Sequence, residues 1–304
     1  MRSAVFSEVA SNASRLPPAG VASQGLHAGL GYARFRSQMA ALTGAAPAPD
    51  RQYFVESRLA PILRAHNLAD LLELASAIDA RESQALVDEV IDALIDNETS
   101  FFRDHVVFEE FVGRVLPELM KARSEVRRLR IWCAAVSTGQ EAYSLAMALD
   151  HEARALRGWT VEVLATDISG AAIEAARSGV YSQFEVQRGL STSRLLRYFH
   201  RHEDNWRVNE HLRAWVSFER FNLMSDPGDF GTFDAIFCRN ALLRFEPRRK
   251  QETLARLGRA LAPDGFLFLG ASESLGEDCE NYAAASGDGI WRPRARRRPR
   301  LALV

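Results

Sequence analysis

The spacing of apolar residues changes once along the chain, near residue 124. Before that point apolar residues recur at intervals of three and four, which is the period of a helix with one buried face. The clearest cases are 68–80 and 86–95; in the second, Asp88, Glu89 and Asp92 lie opposite the apolar stripe. A third helix is predicted over 105–123, interrupted near Pro117, and no strand pattern occurs before Leu129. The spacing therefore predicts an all-helical domain over 32–124.

After residue 124 short apolar runs alternate with helical patterns. Strands are predicted at 129–135, 160–165, 215–221, 233–238, 266–269 and 290–291. Helices are predicted at 140–154, 170–177 and 248–261. This alternation is typical of an α/β protein with a parallel, doubly wound sheet, which binds ligands at the carboxyl ends of its strands. The second domain is expected to span 125–292.

Three stretches depart from these two patterns. About 181–215 holds a short helix at 193–202, scattered aromatic residues and a strand pair near Trp206, so we predict a small inserted subdomain. Such an insertion either recognises a partner or substrate, or has a structural role alone. Residues 1–31 are rich in Ala, Ser, Gly and Pro and are predicted to be a disordered tail. The 293–304 tail is arginine-rich; it is either solvated or binds an acidic partner.

The stretch 129–144 has the order strand, small-residue turn and helix, with the turn at Ser137, Thr138 and Gly139. Small residues let a ligand approach the backbone, and the first N–H groups of the helix lack intrahelical partners. Asp167 ends the next strand, 28 residues after Gly139. An acid at this distance accepts hydrogen bonds from ribose hydroxyls in nucleotide-binding folds, although Asp167 equally suits the cap of a helix starting near Gly170. Together the turn and the acid favour a ribose-bearing ligand.

Further polar residues follow other predicted elements. Residues 97–104 are either an interhelical turn, capped by Asn97 or Thr99, or one wall of a cleft. Asn222 and Leu223 follow the third strand, and Arg239 and Asn240 follow the fourth. Polar side chains at strand ends suit a cofactor pocket, and Asn240 also suits a turn cap.

Composition narrows the protein class. Of 304 residues, 47% are hydrophobic and 25% are charged, as in a soluble globular protein. The net charge of −1 creates no overall electrostatic attraction to nucleic acids or membranes. Lys121 and Lys250 are the two lysines, and every other residue of the Lys and Arg set is an arginine. Because this bias extends over the whole chain, a single arginine is weaker evidence for a functional site. Cys133, Cys238 and Cys279 lack metal-ligand spacing and indicate free thiols. We expect a cytoplasmic protein without signal peptide, membrane span or metal.

Several short motifs occur in register along the chain. They are NETSFFR at 97–103, STGQEAYS at 137–144, ATDI at 165–168, GVY at 179–181, FNL at 221–223, FDAIFCRN at 233–240 and SESL at 272–275. With these motifs the chain resembles the CheR-type chemoreceptor glutamate O-methyltransferases from about Tyr32 to Arg292. The resemblance implies dependence on S-adenosylmethionine (SAM). It also implies a class I, Rossmann-like methyltransferase sheet with an N-terminal all-helical domain and a small inserted β-subdomain.

The resemblance also implies roles for particular residues. The residues expected to contact SAM are Asn97, Thr99, Arg103, Glu141, Asp167, Asn222, Leu223, Arg239 and Asn240. Arg103 is expected to orient the acceptor carboxylate, and Arg244 occupies a second catalytic position. Arg51, Arg58 and Arg64 match the family's basic, receptor-facing helix, although Pro61 interrupts its pattern.

The implied reaction transfers a methyl group from SAM to glutamate side chains of methyl-accepting chemoreceptors, leaving S-adenosylhomocysteine. The implied partner is the receptor's cytoplasmic domain, and the protein is expected to be a monomer without a nucleic-acid partner. The alternative is a catalytically impaired, CheR-like protein that binds SAM or scaffolds a signalling complex. A third possibility is a methyltransferase acting on a small molecule or nucleic acid.

Three positions depart from the family pattern. Arg244 stands where the family has a tyrosine that helps to place the methyl acceptor. Ala135 stands where Gly is common, and Ala142 stands where Pro is common. An arginine differs from a tyrosine in length, charge and reach, so Arg244 either binds the acceptor carboxylate or turns into solvent. These departures bear on activity more than on the fold.

Overall fold

The computed structural model describes residues 19–80, 83–275, 281–285 and 289–294, without the side chains of 19–28. Its N-terminal part is helical. The helices are α1 (Ala19–Thr43), α2 (Gln52–Ala65), α3 (Leu71–Asp79), α4 (Gln84–Leu94), α5 (Val106–Glu110) and α6 (Leu116–Ala122). The first four helices enclose an apolar core that includes Phe35, Leu59 and Leu74.

Two predictions for this helical part need correction. Helix α1 begins at Ala19, so the tail predicted for 1–31 is wrong from that residue onward; residues 1–18 lie outside the described residues. Gly31, one of the glycines that indicated disorder, allows close packing instead, since a Cβ there would lie 3.1 Å from the backbone nitrogen of Leu72 in α3. Helix α2 also continues through Pro61. The helix tolerates Pro61 because Ser57, whose carbonyl loses its partner there, is exposed.

The predicted interruption near Pro117 is present. A π-helical turn, Phe111–Val115, separates α5 from α6, and Pro117 lies in the first turn of α6. Proline is tolerated there because the first-turn N–H groups have no intrahelical partner in any case.

The second part contains a seven-stranded sheet in the order β6-β2-β1-β7-β8-β10-β9. Its strands are β1 (Arg128–Ala134), β2 (Thr160–Asp167), β6 (Val216–Arg220), β7 (Phe233–Phe237), β8 (Leu261–Phe268), β9 (Tyr282–Ala284) and β10 (Ile290–Pro293). The first five of these in sheet order run parallel, and β10 and β9 pair antiparallel at one edge. Strand order reverses between β1 and β7, which is where such sheets bind ligands. Strand β9 was not predicted.

Helices cover both faces of this sheet. They are α7 (Gln140–His151), α8 (Gly170–Ser178), α11 (Glu210–Arg213) and α12 (Pro247–Ala260). Helices α5 to α8 belong to one apolar cluster, in which the rings of Phe237 and Phe268 stack 4.3 Å apart, and α12 covers the other face around Trp132. Arg220, at the end of β6, pairs with Asp88 of α4 and so ties the helical part to the sheet.

The inserted subdomain is a three-stranded antiparallel sheet in the order β3-β5-β4, with two short helices. Its elements are β3 (Val180–Tyr181), α9 (Gln183–Gln187), α10 (Thr192–Tyr198), β4 (Phe199–His202) and β5 (Asn205–Val208). The strand pair predicted near Trp206 is present. The predicted helix 193–202 is too long, because 199–202 leave the helix and pair with β5.

This subdomain packs on residues 97–104, which link α4 to α5. The ring of Phe101 meets Tyr181 edge-on, with centroids 4.9 Å apart, and the Arg194 guanidinium lies 3.9 Å from the centroid of the Phe102 ring. Gly189 has φ +94°, and a Cβ there would lie 1.8 Å from the carbonyl oxygen of Phe101. The subdomain therefore fixes the position of the linking segment.

Within the described part of the chain, no helix has the length and apolar character needed to cross a membrane.

The close approach at Gly189 predicts a large cost for any side chain there. Gly189→Ala should lower the free energy of unfolding by at least ~2 kcal/mol, because it combines a left-handed backbone with a backbone collision. Urea unfolding measures this change. The matched control is Gly113→Ala, since a Cβ on Gly113 meets no atom within 4 Å apart from the neighbouring backbone of its own helix. That variant should be unchanged or about 0.5–1 kcal/mol more stable. Equal effects of the two substitutions would contradict the described packing.

Candidate functional site

A cavity of about 640 Å³ opens at the carboxyl ends of β1, β2 and β7 and is closed from above by the helical part. Its volume is in the range, roughly 300–1,000 Å³, that holds a cofactor or drug-sized ligand. All of the predicted site residues except Arg58 and Arg64 line it. They are Arg51, Asn97, Thr99, Arg103, Glu141, Asp167, Asn222, Leu223, Arg239, Asn240 and Arg244.

The loop between β1 and α7 forms the floor of the cavity in a strained conformation. Ala135, Ser137 and Gly139 all have positive φ angles, of 65°, 54° and 96°. A Cβ on Gly139 would lie 2.9 Å from both the Ala176 Cβ and the Tyr181 hydroxyl, so only glycine fits. The Tyr181 hydroxyl also donates to the Thr138 carbonyl at 2.8 Å. The inserted subdomain thus contributes directly to the shape of this loop.

Asp167 is a buried carboxylate at the end of β2 and accepts backbone hydrogen bonds from both sides. Its Oδ2 accepts from the Ser137 nitrogen at 2.8 Å and its Oδ1 from the Ser169 nitrogen at 3.0 Å. Burial raises the pKa of this carboxyl, and the two N–H groups oppose that shift. Ser169, and not Asp167, caps α8, because its Oγ accepts from the Ala172 nitrogen. Each carboxylate oxygen keeps a further lone pair for a ligand hydroxyl.

Arg239, which follows β7, is a buried cation with a side chain only 1% exposed. Its Nη1 donates to Glu141 at 2.8 Å, and its Nη2 donates to Asp104 and to the Arg103 carbonyl, each at 2.8 Å. Burial raises the pKa of Glu141, and the Arg239 charge opposes this. The buried Arg239 Nε has no hydrogen-bond partner among the described residues. The side chain therefore joins β7, α7 and the 97–104 segment.

The 97–104 segment forms the wall of the cavity on the helical side. The Ser137 hydroxyl donates to the Asn97 carbonyl at 3.1 Å, so this wall touches the loop after β1. Arg103 is exposed, and its Nη1 donates to the Glu98 carbonyl at 3.2 Å. Neither Asn97 nor Thr99 caps a described helix. Of the two interpretations of this segment, the cleft wall is the one that the structure supports.

Asn222 and Leu223 form the opposite wall, where they meet the end of α1. The Asn222 Nδ2 donates to the Leu42 carbonyl at 2.6 Å, and its Oδ1 accepts from the Met224 nitrogen at 2.9 Å. The Asn222 amide is therefore bound to backbone groups, while Leu223 offers an apolar surface. The segment after α1 also contacts the chain just before α12, where the Glu246 N–H donates to the Gly44 carbonyl at 3.0 Å. No sequence pattern had indicated that the end of α1 and the segment after it line this side of the cavity.

Glu273 is a buried residue that shapes the site and was not predicted to do so. Its Oε2 accepts from the nitrogens of Asn240 and Gly270, each at 2.7 Å, and its Oε1 accepts from the Leu242 nitrogen at 2.8 Å. These bonds hold Asn240 at a φ of 61°. The charged residue within the SESL motif could have drawn attention to Glu273. Two of its three hydrogen-bond donors, the Asn240 and Leu242 nitrogens, however lie on another loop.

Arg244 ends a short 3-10 turn, Leu242–Arg244, at the mouth of the cavity. Its Nη2 donates to Asp96 Oδ2 at 2.9 Å. This hydrogen bond lowers the pKa of Asp96. Asp96 also lines the cavity, and no sequence pattern had singled it out.

The three arginines predicted to face a receptor lie in different surroundings. Arg51 ends a 3-10 turn, Pro49–Arg51, that precedes α2, so its placement on that helix is wrong by one residue. The guanidiniums of Arg51 and Arg58 lie 5.4 and 4.9 Å from the centroid of the exposed Phe54 ring. Arg64 is exposed in the last turn of α2. Their contact with a receptor stays a prediction.

Potential metal ligands do not cluster in the described part of the chain, where no group of three or more His, Cys, Asp or Glu side chains is suited to hold an ion. Cys133 and Cys238 are buried and free, and burial raises the pKa of both thiols well above the usual value. Cys279 lies outside the described residues.

Comparison with known proteins gives one consistent family. The family model described as CheR methyltransferase, SAM binding domain matches residues 97–288. Chemotaxis protein methyltransferase 1 of Pseudomonas aeruginosa is 41% identical over 237 residues, which cover 77% of this chain and 86% of that protein. Chemotaxis protein methyltransferase Cher2 of Pseudomonas putida is 37% identical over 257 residues, covering 83% and 93%. The chemotaxis protein methyltransferase of Salmonella typhimurium is 38% identical over 234 residues, covering 75% and 78%.

The left-handed conformation of Ala135 predicts that glycine is the better residue at that position. Ala135→Gly should raise the free energy of unfolding by about 0.5–1 kcal/mol, because relief of the strained φ outweighs the greater freedom of glycine in the unfolded chain. Urea unfolding provides the measurement. Ala134→Gly is the matched control: Ala134 is buried in β1, so that variant should be less stable. Loss of stability in both variants would show that Ala135 is not strained.

Proposed function

Because this chain belongs to the CheR methyltransferase family, we propose that it transfers methyl groups from SAM to glutamate carboxylates of chemoreceptors in chemotaxis adaptation. The relatives named above carry the name chemotaxis protein methyltransferase. The observation that carries the proposal is the composition of one cavity. It combines the buried carboxylate of Asp167 with two arginines at its open side, Arg103 and Arg244.

The deep part of the cavity suits SAM. Asp167 is proposed to accept the ribose hydroxyls; this is supported by its position in the cavity, beside a loop whose glycine allows close approach. Leu223 offers an apolar surface to the adenine, with Asn222 beside it. Glu141 offers an acceptor to the charged amino-acid end of SAM, and the Arg239 guanidinium paired with it lines the same cavity. Asn97, Thr99 and Asn240 complete the walls of the same cavity.

The chemistry needs little acid–base help from the protein. A glutamate side chain ionises near pH ~4.3, so at neutral pH the acceptor is already a nucleophile. SAM supplies a methyl group on a sulfonium sulfur and leaves as S-adenosylhomocysteine once a carboxylate oxygen has taken that methyl. The residues at the mouth have to hold the acceptor oxygen in line with the methyl, about 3 Å away, and exclude water. No metal is required for this reaction.

The open side of the cavity suits an anionic acceptor. Arg103 is exposed beside Glu141. Among the described residues its guanidinium donates to the Glu98 carbonyl, which leaves further N–H groups for a carboxylate. A planar guanidinium orients a carboxylate through two parallel hydrogen bonds. We propose that Arg51, Arg58 and Arg64 contact the cytoplasmic domain of the receptor outside the cavity. A monomeric enzyme in the cytoplasm is sufficient for this role.

The direct test is incubation of the purified protein with methyl-labelled SAM and cytoplasmic receptor fragments from the same cell. Base-labile label on receptor glutamates is the expected result. Receptor fragments with those glutamates changed to glutamine serve as controls and should stay unlabelled. Calorimetric binding of SAM without any transfer would contradict the proposal and favour a SAM-binding or scaffolding protein. That alternative is kept because Arg244 replaces the family's tyrosine.

Arg103 provides a specific prediction. Arg103→Ala should lower the rate of methyl transfer roughly 10- to 100-fold, the effect of losing a charge-assisted hydrogen bond in the transition state. SAM affinity, measured by calorimetry, should change by no more than about three-fold, since all the other groups expected to contact SAM remain. Arg128→Ala is the matched control, because Arg128 is an exposed, ion-paired arginine at the start of β1, at the end of the strand away from the cavity. Transfer within a few-fold of the wild-type rate would refute the role of Arg103.

A further inference from the structure

One ion pair spans the mouth of the cavity. It joins Arg244, after β7, to Asp96, after α4, with Nη2 and Oδ2 2.9 Å apart. The side chains are 67% and 51% exposed, so the pair is largely in water. Both residues line the cavity. The Arg244 guanidinium at the mouth of the cavity is therefore already paired with a carboxylate of the protein itself.

The backbone on each side of this pair is held, while the side chains can move. Glu273 fixes the turn that carries Arg244 through the Asn240 and Leu242 nitrogens. Asp96 directly precedes Asn97, whose carbonyl accepts from Ser137. Rotation about the side-chain bonds of Arg244 can therefore break the pair without moving either wall of the cavity.

The pair is also weak enough to exchange. Exposed ion pairs contribute about 0–1 kcal/mol, since water and side-chain entropy offset most of their attraction. Arg239 differs in this respect: it is buried and bound to two carboxylates and a carbonyl. Arg103 is held by a neutral carbonyl. Among the arginines that line the cavity, Arg244 is thus the one described in an ion pair whose two side chains are both exposed.

We propose that Asp96 is an internal competitor for Arg244, and that the acceptor glutamate displaces it during binding. The inference rests on the proposed function, because it takes a glutamate carboxylate as the ligand. The two competing groups are chemically the same, so the exchange preserves the charge pairing of Arg244. A glutamine at the acceptor position is neutral and cannot compete equally for the guanidinium. The pair would therefore favour glutamate over glutamine at the mouth of the site.

A double-mutant cycle tests this competition. The proteins compared are the wild type, Asp96→Asn, Arg244→Gln and the double variant, with saturating SAM and a receptor fragment of known methylated glutamates. Asp96→Asn should lower KM for the fragment about three-fold, the size of an exposed ion pair, and change KM more than kcat. Arg244→Gln should raise KM. In the Arg244→Gln background, Asp96→Asn should leave KM unchanged, because nothing remains to compete for.

A second measurement covers a variant that turns over too slowly for kinetics. Calorimetry with S-adenosylhomocysteine bound gives the Kd for the same fragment, and the same four-way pattern is expected. Asp226→Asn is the control, since Asp226 forms a comparably exposed pair with Arg259 away from the cavity. It should leave KM and Kd unchanged. Thermal unfolding of all the proteins checks that each is folded.

Two results would overturn the inference. One is an Asp96→Asn variant with a raised KM and Kd, which would make Asp96 part of the acceptor site. The other is the same decrease in both backgrounds, which would indicate general repulsion of an acidic receptor. In either case wild-type transfer to receptor glutamate would leave the proposed function standing. Absence of transfer by the wild type would instead remove the proposed function, and the competition for glutamate with it.

Discussion

The site depends on the buried guanidinium of Arg239. It joins Glu141 at the start of α7, Asp104 and the Arg103 carbonyl in the linking segment, and the end of β7. Moving such a charge out of water is costly, so the arrangement is stable only while every partner is present. Removal of one partner from a buried pair typically costs about 3–5 kcal/mol. The cavity walls are therefore positioned together, because each supplies a partner for the same cation.

The cavity divides into a fixed interior and an exchangeable mouth. In the interior, Asp167 and Glu273 bind backbone N–H groups and hold strained turns at Ser137 and Asn240. At the mouth, the side chains of Asp96 and Arg244 are largely in water. This division matches the two tasks of a methyltransferase of this family. In the proposed function, the interior recognises one cofactor, whereas the mouth admits and releases glutamates of a protein substrate.

Local sequence patterns predicted the fold and the interior better than the mouth. The match to the CheR family and the α/β class, both predicted, are confirmed. The acid at the end of β2 marked Asp167 as a candidate, and Asp167 does line the cavity. The pattern and the residue lie on one element; the contact of Asp167 with SAM stays a prediction. Asp96 and Leu42 were missed because their partners, Arg244 and Asn222, are 148 and 180 residues away along the chain. No periodicity encodes such contacts. The start of α1 was missed because its glycines indicated disorder, whereas one of them, Gly31, packs against Leu72 of α3.

The most direct test of this site is a crystal structure of the protein with S-adenosylhomocysteine. We expect the ligand in the cavity between the sheet and the helical part, with its ribose hydroxyls within hydrogen-bond distance of Asp167. We also expect the ion pair between Arg239 and Glu141 to stay intact beside the amino-acid end of the ligand. A ribose placed away from Asp167, or an Arg239 side chain released from Glu141, would contradict these expectations.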